Sequence, residues 1–456
     1  MWYKLPGCLF FRPFRAATPL NMIQGRRSFV ACPWLLYFAP LALGATADSS
    51  SLRHYFTLLS LALAVKRIGM PKQWIFSLII LALMAAAVIA KSPHDAVVTP
   101  ESLAQSEVPA SRLARLRHGI NLSHWFAQAA DYSKAHLESH TTAEDIALIK
   151  SIGFDHVRLT LEPAPLFNDD DPGRLKTDYL KYLDNALDLI LANGLAVIVD
   201  IHPSDQFKLK LNSNDRQIEA FGKFWRTLAE HLSTRDPERV FLEVINEPMV
   251  EDGYRWYGMQ GKLISSVRSG APRHTVIASG HRWSGLPELL FLLPYSDRNI
   301  VYNFHFYEPF AFTHQGATWA GANVPFYKNI PYPSNPESVG KVLDTIQDEP
   351  ARYNLLRYGE DGWNATRIDH EIGLAAAWAA KYQVPLTCNE FGTFRNFAPP
   401  ADRAVWIKDM RTALEKYGIG WTMWDYAGGF AVVNKQNGHA TPDAEVVKAL
   451  GLSVKK

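Results

Sequence analysis

The sequence predicts an α/β fold: a (β/α)8 or TIM barrel preceded by a signal peptide or membrane-anchor segment. Two observations carry this prediction. From residue 115 onward, short apolar segments of strand length alternate with amphipathic segments of helix length, and upstream a run without a charged residue spans positions 74–90. The alternation indicates a parallel sheet with crossover helices, and eight repeats over about 340 residues match a closed barrel with loop insertions.

Residues 1–90 are predicted to be a leader. The apolar run 74–90, WIFSLIILALMAAAVIA, follows Lys72 and ends in the small residue Ala90. A basic start, an apolar centre and a small-residue exit are typical of an export signal, and a span needs at least about 17 apolar residues. We expect a cleaved signal and a secreted or periplasmic barrel. A retained anchor, with membrane attachment through 74–90 and the barrel outside, is the alternative.

Two boundaries follow from the leader. Met70 begins a complete signal-like segment, so we hypothesise that translation starts there. Residues 91–114 are rich in Ser, Pro, Ala and Glu, and we predict a linker. The catalytic barrel is then expected to occupy residues 115–453.

The charge distribution excludes one class of partner. Residues 1–72 hold nine Lys or Arg and a single acid, Asp48, and the rest of the chain holds 38 basic and 44 acidic residues. The basic excess therefore belongs to the leader. No stripe of Lys and Arg follows it, so we expect no nucleic-acid partner and favour an uncharged substrate.

The predicted elements follow one another in regular order. We expect strands at 118–122, 156–161, 195–201, 240–245, 275–279, 300–305, 386–390 and 420–424. We expect helices at 143–152, 178–192, 216–232, 254–267, 370–381 and 401–417. The widest gap, residues 308–366, is predicted as a long loop after strand six. In a barrel this loop lies on the C-terminal face, where substrate sites are built.

Two carboxylates end apolar strands. Glu247 follows strand four in FLEVINEP, and Glu390 ends strand seven in VPLTCNEFG. Both are expected to project from the same end of the barrel. Retaining cleavage of a glycosidic bond uses two carboxyl groups about 5 to 5.5 Å apart, one protonated and one ionised. The pair therefore predicts this chemistry, although either residue alone is more typical of a solvated loop.

Residues 115–450 resemble glycoside hydrolase family 5, the cellulase-type branch of the retaining barrel enzymes. The resemblance rests on the Asn-Glu-Pro triplet at 246–248 and on the side chains that accompany it in strand order. These are Arg158, His202, His305, Tyr307, Glu390 and Trp424. The triplet alone is only moderately specific for this family. The triplet together with these six side chains in strand order is much more specific.

The resemblance implies a role for each residue. Glu247 is expected to be the acid/base and Glu390 the nucleophile, with Asn246 binding the sugar 2-OH. Arg158 and Tyr307 are expected to favour the charged form of Glu390.

The remaining residues of the resemblance are expected to hold the sugar and the acid. The implied positions are the floor of the site for His202 and a place beside the acid/base for His305. Buried histidines with a purely structural role are the alternative for both. Trp424 is expected to be a platform for the sugar at the cleavage point.

The predicted site also includes three further tryptophans as candidates for sugar subsites. A second point is whether its residues are expected to bind a metal. Trp125, Trp283 and Trp319 are candidates for flanking subsites, and each is equally typical of a core residue. Neither His-x-His nor His-Glu-x-x-His spacing occurs in the predicted barrel, so we expect no metal and no cofactor.

The predicted substrate is a β-linked polysaccharide or oligosaccharide. Residues 303–319 and 421–432 look like the strand-six and C-terminal regions of bacterial endoglucanase-like members, which favours an endo-β-1,4-glucanase. A β-mannanase or β-1,3-glucanase of the same family remains open, because such enzymes share the catalytic set. A membrane-tethered carbohydrate-binding protein without catalysis and a transglycosylase also remain open.

Overall fold

A computed structural model describes residues 106–455. Its centre is a closed barrel of eight parallel strands in sequential order, in which β8 pairs with β1. The predicted barrel is confirmed. The strands are β1 His118–Phe126, β2 His156–Leu161, β3 Ala196–Ile201, β4 Val240–Glu243, β5 Thr275–Ser279, β6 Ile300–Phe306, β7 Leu386–Phe391 and β8 Gly420–Met423.

Helices cover the outside of the barrel. They are α1 Ala110–Leu113, α2 Lys134–Ser139, α3 Ala143–Ile152, α4 Thr177–Ala192, α5 Asp205–Ser213, α6 Asp215–Leu232, α7 Gly253–Gly270, α8 Leu286–Phe291, α9 Phe310–Thr313, α10 Pro336–Leu343, α11 Glu349–Asp361, α12 Ala365–Tyr382, α13 Pro400–Lys416 and α14 Ala444–Ala449. The described residues also contain two 3-10 turns, Ala114–Leu116 and Val324–Phe326. All six predicted helices are present, with ends within five residues of the predicted ones.

Local sequence sets the helix ends. The Thr142 side chain accepts a hydrogen bond from the backbone of Asp145, whose carboxylate accepts one from the backbone of Thr142. This capping box satisfies amide groups that the first turn of a helix leaves without partners. The same helix, α3, stops at Gly153, which adopts a left-handed φ of 108° that glycine tolerates best.

The barrel interior has an apolar layer below a polar layer. Ile198, Phe241, Ile277 and Val301 pack together in one buried cluster inside the barrel. Because side chains alternate between the two faces of a strand, the residues two positions further on also point inward. Those residues are polar: Asp200, Glu243, Ser279 and Asn303. The polar layer thus lies directly beneath the C-terminal opening.

The linker prediction was wrong at its C-terminal end. Residues 106–114 do not form a free linker, because Val108 joins the apolar cluster inside the barrel. The buried Arg112 donates hydrogen bonds to Glu238 and to Thr275 Oγ1. The physical reason is that the N-terminal end of the barrel exposes apolar side chains, and this segment covers them.

The region 308–366 is also more ordered than predicted. It contains α9, α10 and α11 in place of a long loop. Short amphipathic helices that begin at a proline or asparagine are hard to distinguish from loops in a Pro-rich and Tyr-rich sequence. Further elements of the described residues were not predicted: α1, α2, α5, α8, α14 and a two-stranded hairpin, β9 Val433–Gln436 and β10 His439–Pro442.

The predictions for the leader concern residues outside the described part of the chain. These are the signal peptide or anchor at 74–90, the start at Met70 and the first part of the linker. Within residues 106–455, no helix is both long and apolar enough to cross a membrane.

Candidate active site

Two carboxyl groups from different strands converge at the barrel opening. Glu390 is buried in β7, and Glu247 follows β4 with a left-handed φ of 45°. One oxygen of each lies within 4.8 Å of the other, and His305 Nδ1 lies within the same distance of both. Retaining glycosidases keep their carboxyl groups about 5 to 5.5 Å apart, whereas inverting enzymes need about 6.5 to 9.5 Å. The spacing therefore matches the retaining geometry.

Glu390 is held on both oxygens by side-chain donors. Arg158 Nη1 donates to Oε1 at 2.7 Å, and the Tyr307 hydroxyl donates to Oε2 at 2.9 Å. Burial, together with the charges of the two carboxylates, raises the pKa of Tyr307 well above its usual value, so it stays a donor. A charge-assisted bond and a phenolic bond of this kind stabilise an ionised carboxylate.

Arg158 is itself fixed from several sides in the polar layer. Its guanidinium forms a two-bond pair with Glu243 at 2.9 Å for both bonds and contacts Asp200 Oδ2 at 3.0 Å. Burial opposes its charge, but Asp200, Glu243 and Glu390 outweigh that and hold the pKa of Arg158 well above its usual value. The guanidinium is therefore a permanent positive charge with a fixed orientation beneath the nucleophile position.

Protonation states in the polar layer follow from its charge balance. The three carboxylates around Arg158 outnumber its single charge. Burial raises the pKa of Asp200 to about 6 and also raises the pKa of Glu243, in both cases against the opposing effect of Arg158. Both groups therefore take up a proton at a higher pH than a free carboxylate does, which reduces the excess negative charge of the layer as the pH falls.

His202 and Asn246 orient one another. His202 Nδ1 lies 2.9 Å from Asp200 Oδ2, and its Nε2 lies 3.1 Å from Asn246 Nδ2. Since an amide nitrogen only donates, Nε2 must accept and the imidazole proton must be on Nδ1. Burial lowers the pKa of His202 to about 3, which keeps the ring neutral.

The Asn246 amide is consequently fixed at both ends. Its Oδ1 accepts a hydrogen bond from Arg158 Nη2 at 2.9 Å, and its Nδ2 donates one hydrogen to His202. The second hydrogen on Nδ2 is available to a ligand, because Asn246 lines the cleft. This arrangement suits a contact with a sugar hydroxyl.

His305 contacts the other carboxyl group. Its Nδ1 lies 3.0 Å from Glu247 Oε1 and 3.6 Å from Glu390 Oε2. Burial lowers the pKa of His305 to about 4, and its Nε2 is buried without a partner among residues 106–455. No described neighbour therefore fixes the tautomer, and the ring can present either a lone pair or an N–H to Glu247.

The same three residues are the kind of group that can hold a metal ion, with one oxygen or nitrogen atom from each of Glu247, His305 and Glu390. Both Glu390 oxygens are already bound by Arg158 and Tyr307, and Glu247 Oε1 faces His305. A cation here would compete with the adjacent guanidinium for the same carboxylate. Hydrogen bonding alone accounts for the convergence of the three groups.

A cleft of about 540 Å³ opens over the carboxyl pair. Trp424 lines it and stacks on His202 with ring centroids 5.6 Å apart and planes inclined by 17°. Trp319 also lines the cleft, is 63% exposed, and contacts Phe394 edge to face. Both indoles therefore face the space that a ligand would occupy.

The other two tryptophans do not line the cleft. Trp125 is only 3% exposed and donates from Nε1 to the backbone oxygen of Leu137 at 2.8 Å. Of the two alternatives for Trp125, subsite or core, the core is confirmed, because the ring packs between β1 and α2. Trp283 is 49% exposed, but it does not line the cleft described above.

Sequence reasoning missed several residues that line or support the site. Glu162 and Lys208 line the cleft, and both are nearly buried. Asp200 and Glu243 lie beneath it. Each of these last two is an acid inside an apolar strand, a pattern that indicates an inward-facing polar layer and could have been recognised.

The fold and site together define a class: a barrel enzyme that hydrolyses O-glycosyl bonds and acts on polysaccharide. The family model for cellulase, glycosyl hydrolase family 5, matches residues 118–429. The chain belongs to this family. The resemblance seen in the sequence is confirmed.

Curated relatives match most of the barrel. Endoglucanase C from Acetivibrio thermocellus is 28% identical over 320 residues, which cover 69% of this chain and 92% of the relative. Cellodextrinase A from Ruminococcus flavefaciens is 26% identical over 310 residues, covering 66% and 82%.

Solved structures share the fold. The cellulose synthase subunit Z of Clostridioides difficile aligns with a TM-score of 0.61 at 23% identity, over 74% of this chain and 99% of that one. Endoglucanase Cel5A from Thermotoga maritima also has a TM-score of 0.61 at 23% identity, over 74% and 98%. At this identity the likeness concerns the fold alone.

Proposed function

We propose that the protein is a retaining endo-β-1,4-glucanase, with Glu390 as nucleophile and Glu247 as acid/base. The observation that carries the proposal is the approach of the two carboxyl groups to within 4.8 Å, with Arg158 and Tyr307 bound to only one of them. The assignment to β-1,4-glucan is supported by relatives named endoglucanase and cellodextrinase.

The first step forms a covalent intermediate. Glu390 attacks the anomeric carbon while Glu247 gives its proton to the departing glycosidic oxygen, so one C–O bond forms as the other breaks. Asn246 contacts the sugar 2-OH, an interaction that strengthens as the ring approaches an oxocarbenium ion. Arg158 and Tyr307 hold the two Glu390 oxygens in position for attack.

The second step reverses the roles. Glu247, now a carboxylate, takes a proton from a water molecule that attacks the same carbon and releases Glu390. The two inversions give net retention. His305 supports this exchange, since its neutral ring can face either protonation state of Glu247.

Substrate placement follows from the aromatic and polar lining. Trp424 supplies a flat apolar face for the sugar at the cleavage point, and Trp319 supplies a second on the cleft wall. Lys208 and Glu162 add polar groups that suit hydroxyl-rich ligands.

The direct test is chemical rescue with azide in Glu390→Gly and Glu247→Gly on an activated cellobioside. We expect an α-glycosyl azide from the first variant and a β-glycosyl azide from the second, because azide replaces the nucleophile in one and the attacking water in the other. Rescue that gives the same anomer from both variants would contradict the assignment.

Product analysis tests the substrate. On mixed-linkage β-glucan and carboxymethyl cellulose, we expect a rapid fall in viscosity and short oligosaccharides. Products longer than the substrate would indicate a transglycosylase, and cleavage of mannan or β-1,3-glucan alone would assign another linkage. Binding without turnover would favour a non-catalytic carbohydrate-binding protein.

We also propose that the barrel acts outside the cytoplasm. The apolar run at 74–90 with its basic start supports this, as does a polymeric substrate that cannot cross a membrane. N-terminal mass spectrometry of the native protein distinguishes the forms. A mature N-terminus just after Ala90 supports export with cleavage, an intact 74–90 segment supports an anchor, and a peptide from 1–69 contradicts the start at Met70.

A further inference from the structure

We propose that an outer aromatic patch, formed by Tyr254, Tyr257, Leu290, Phe291 and Leu293, binds the leaving-group portion of the polysaccharide beyond the cleft. The inference rests on the proposed function, and it extends the polymer contact from the acid/base to the outer surface of α7 and α8.

The patch is unusually exposed for its composition. Tyr254 in α7 is 78% exposed, Phe291 at the end of α8 is 48% exposed, and Leu293 just after α8 is 56% exposed. Contiguous exposed apolar surfaces on soluble proteins commonly mark an interaction site. Isolated exposed residues elsewhere on the barrel need no such explanation.

The rings are held in defined positions. Tyr254 and Phe291 meet edge to face with centroids 5.2 Å apart, and Tyr257 stacks on Tyr295 at 4.7 Å. The Phe291 ring lies over Gly253 so closely that a Cβ there would come within 2.5 Å of it. A glycine at the start of α7 therefore creates the space in which Phe291 lies.

A short segment links the patch to the acid/base. The amide of Trp283 donates to the oxygen of Pro248, next to Glu247, at 3.1 Å. At the other end of the same segment, His281 contacts the Phe291 ring with centroids 5.6 Å apart. The segment 281–283 therefore contacts both the residue next to the acid/base and a ring of the patch.

The backbone of this segment is strained. Arg282, Trp283 and Ser284 have left-handed φ values of 42°, 56° and 57°. Three successive non-glycine residues in this conformation are costly, and such strain is found mostly at functional sites. The Ser284 oxygen accepts the amide of His305 at 2.8 Å, which anchors the turn to the acid/base partner.

Direction and charge favour a glucan as the occupant. Because Glu247 protonates the departing oxygen, the polymer on its side is the leaving-group portion. The nearby Arg282 has Glu251 at 3.7 Å and Glu288 at 3.8 Å, so the segment carries no excess positive charge. A lipid surface would favour a basic rim, whereas pyranose rings pack on neutral aromatic faces.

The test combines Tyr254→Ala with Phe291→Ala in the full chain. A matched control is Tyr417→Ala, 37% exposed and just before β8, at the opposite end of the barrel. We expect kcat/KM on polymeric mixed-linkage glucan to fall about fivefold to tenfold in the double variant. Turnover of cellotetraose, which offers only a short leaving-group portion, should fall much less, and both activities of the control should stay unchanged.

Binding is measured separately by affinity electrophoresis in polymeric glucan with the Glu247→Gln background. Equal polymer affinity with and without the patch residues would overturn the proposal while leaving the hydrolase assignment intact. Equal losses on cellotetraose and polymer would also overturn it, as would Phe291-dependent binding to lipid vesicles with unchanged glucan binding. Failure of the proposed function itself is distinguishable, because the wild-type protein would then cleave neither substrate.

Discussion

Arg158 Nη1 lies 2.7 Å from Glu390 Oε1, although the two residues are separated by 232 positions in the chain. The same guanidinium binds Glu243, Asp200 and Asn246. One side chain therefore connects the polar layer inside the barrel to both the nucleophile position and the residue expected to contact the substrate. Its geometry, more than its charge alone, should determine activity.

Replacing Arg158 with lysine tests this. Lys keeps the charge but loses the planar set of donors, so Glu243 and Asn246 lose bonds together. We expect kcat to fall by about 10² to 10³, with a smaller change in KM. Steady-state kinetics on a soluble glucan measures this, and a thermal melt checks folding. A folded variant within threefold of wild-type kcat would contradict the role assigned to Arg158.

The two carboxyl residues should differ in their response to the leaving group. In Glu247→Gln the first step loses its acid, so an aryl cellobioside with a good leaving group should still form the intermediate, with natural glucan slowed by about 10² to 10⁴. Glu390→Gln should be slow on both substrates, because the nucleophile is missing. Burst kinetics with dinitrophenyl cellobioside makes the comparison. The reverse pattern would exchange the two roles.

Stability should fall in mild acid. Burial lowers the pKa of six described histidines to about 3 or about 4: His140, His156, His202, His274, His305 and His314. The unfolded chain binds these protons near pH 6.5 and the folded chain does not, so stability is complete above about 6.5 and declines toward pH 4.

Asp200 acts in the opposite direction, because its pKa is raised to about 6 and its contribution is lost as pH rises through that value. Five further described carboxyl groups with a raised pKa act like Asp200, and five with a lowered pKa act like the histidines, so the six histidines leave a net decrease of Tm from pH 6.5 to 4. Differential scanning calorimetry measures the slope. His156→Asn, at the start of β2 and remote from the cleft, should reduce it. A Tm that is flat across this range would refute the explanation.

Lys208 should contribute to substrate binding more than to chemistry. It lines the cleft, is 6% exposed, and has its nearest carboxylate oxygen, on Asp205, at 3.9 Å. We expect Lys208→Met to raise KM on cellotetraose by about threefold to tenfold, with kcat within twofold, since methionine keeps the apolar stem and removes the donor. Exposed Lys210→Met in the same helix is the control. A fall in kcat at unchanged KM would contradict this role.

The strand positions were predictable because the barrel core imposes a local pattern. β2 and β5 have the predicted ends, as does α3. The two strands are continuous apolar runs and the helix is amphipathic. In each case the pattern that predicts the element lies within neighbouring residues. Trp125 and Trp319 were not separable in this way, since an indole in a core and an indole in a cleft have the same local sequence.

By itself the sequence determined the eightfold alternation, the two acids at strand ends and the family, because periodicity and motifs are local properties of the chain. Only the tertiary structure decided that Glu243 and Asp200 hold Arg158, that residues 106–116 cover one end of the barrel, and that Tyr254 and Phe291 meet on the surface. These are contacts between segments far apart in sequence. Closure of the barrel brings them together, and no local pattern encodes the distance between them.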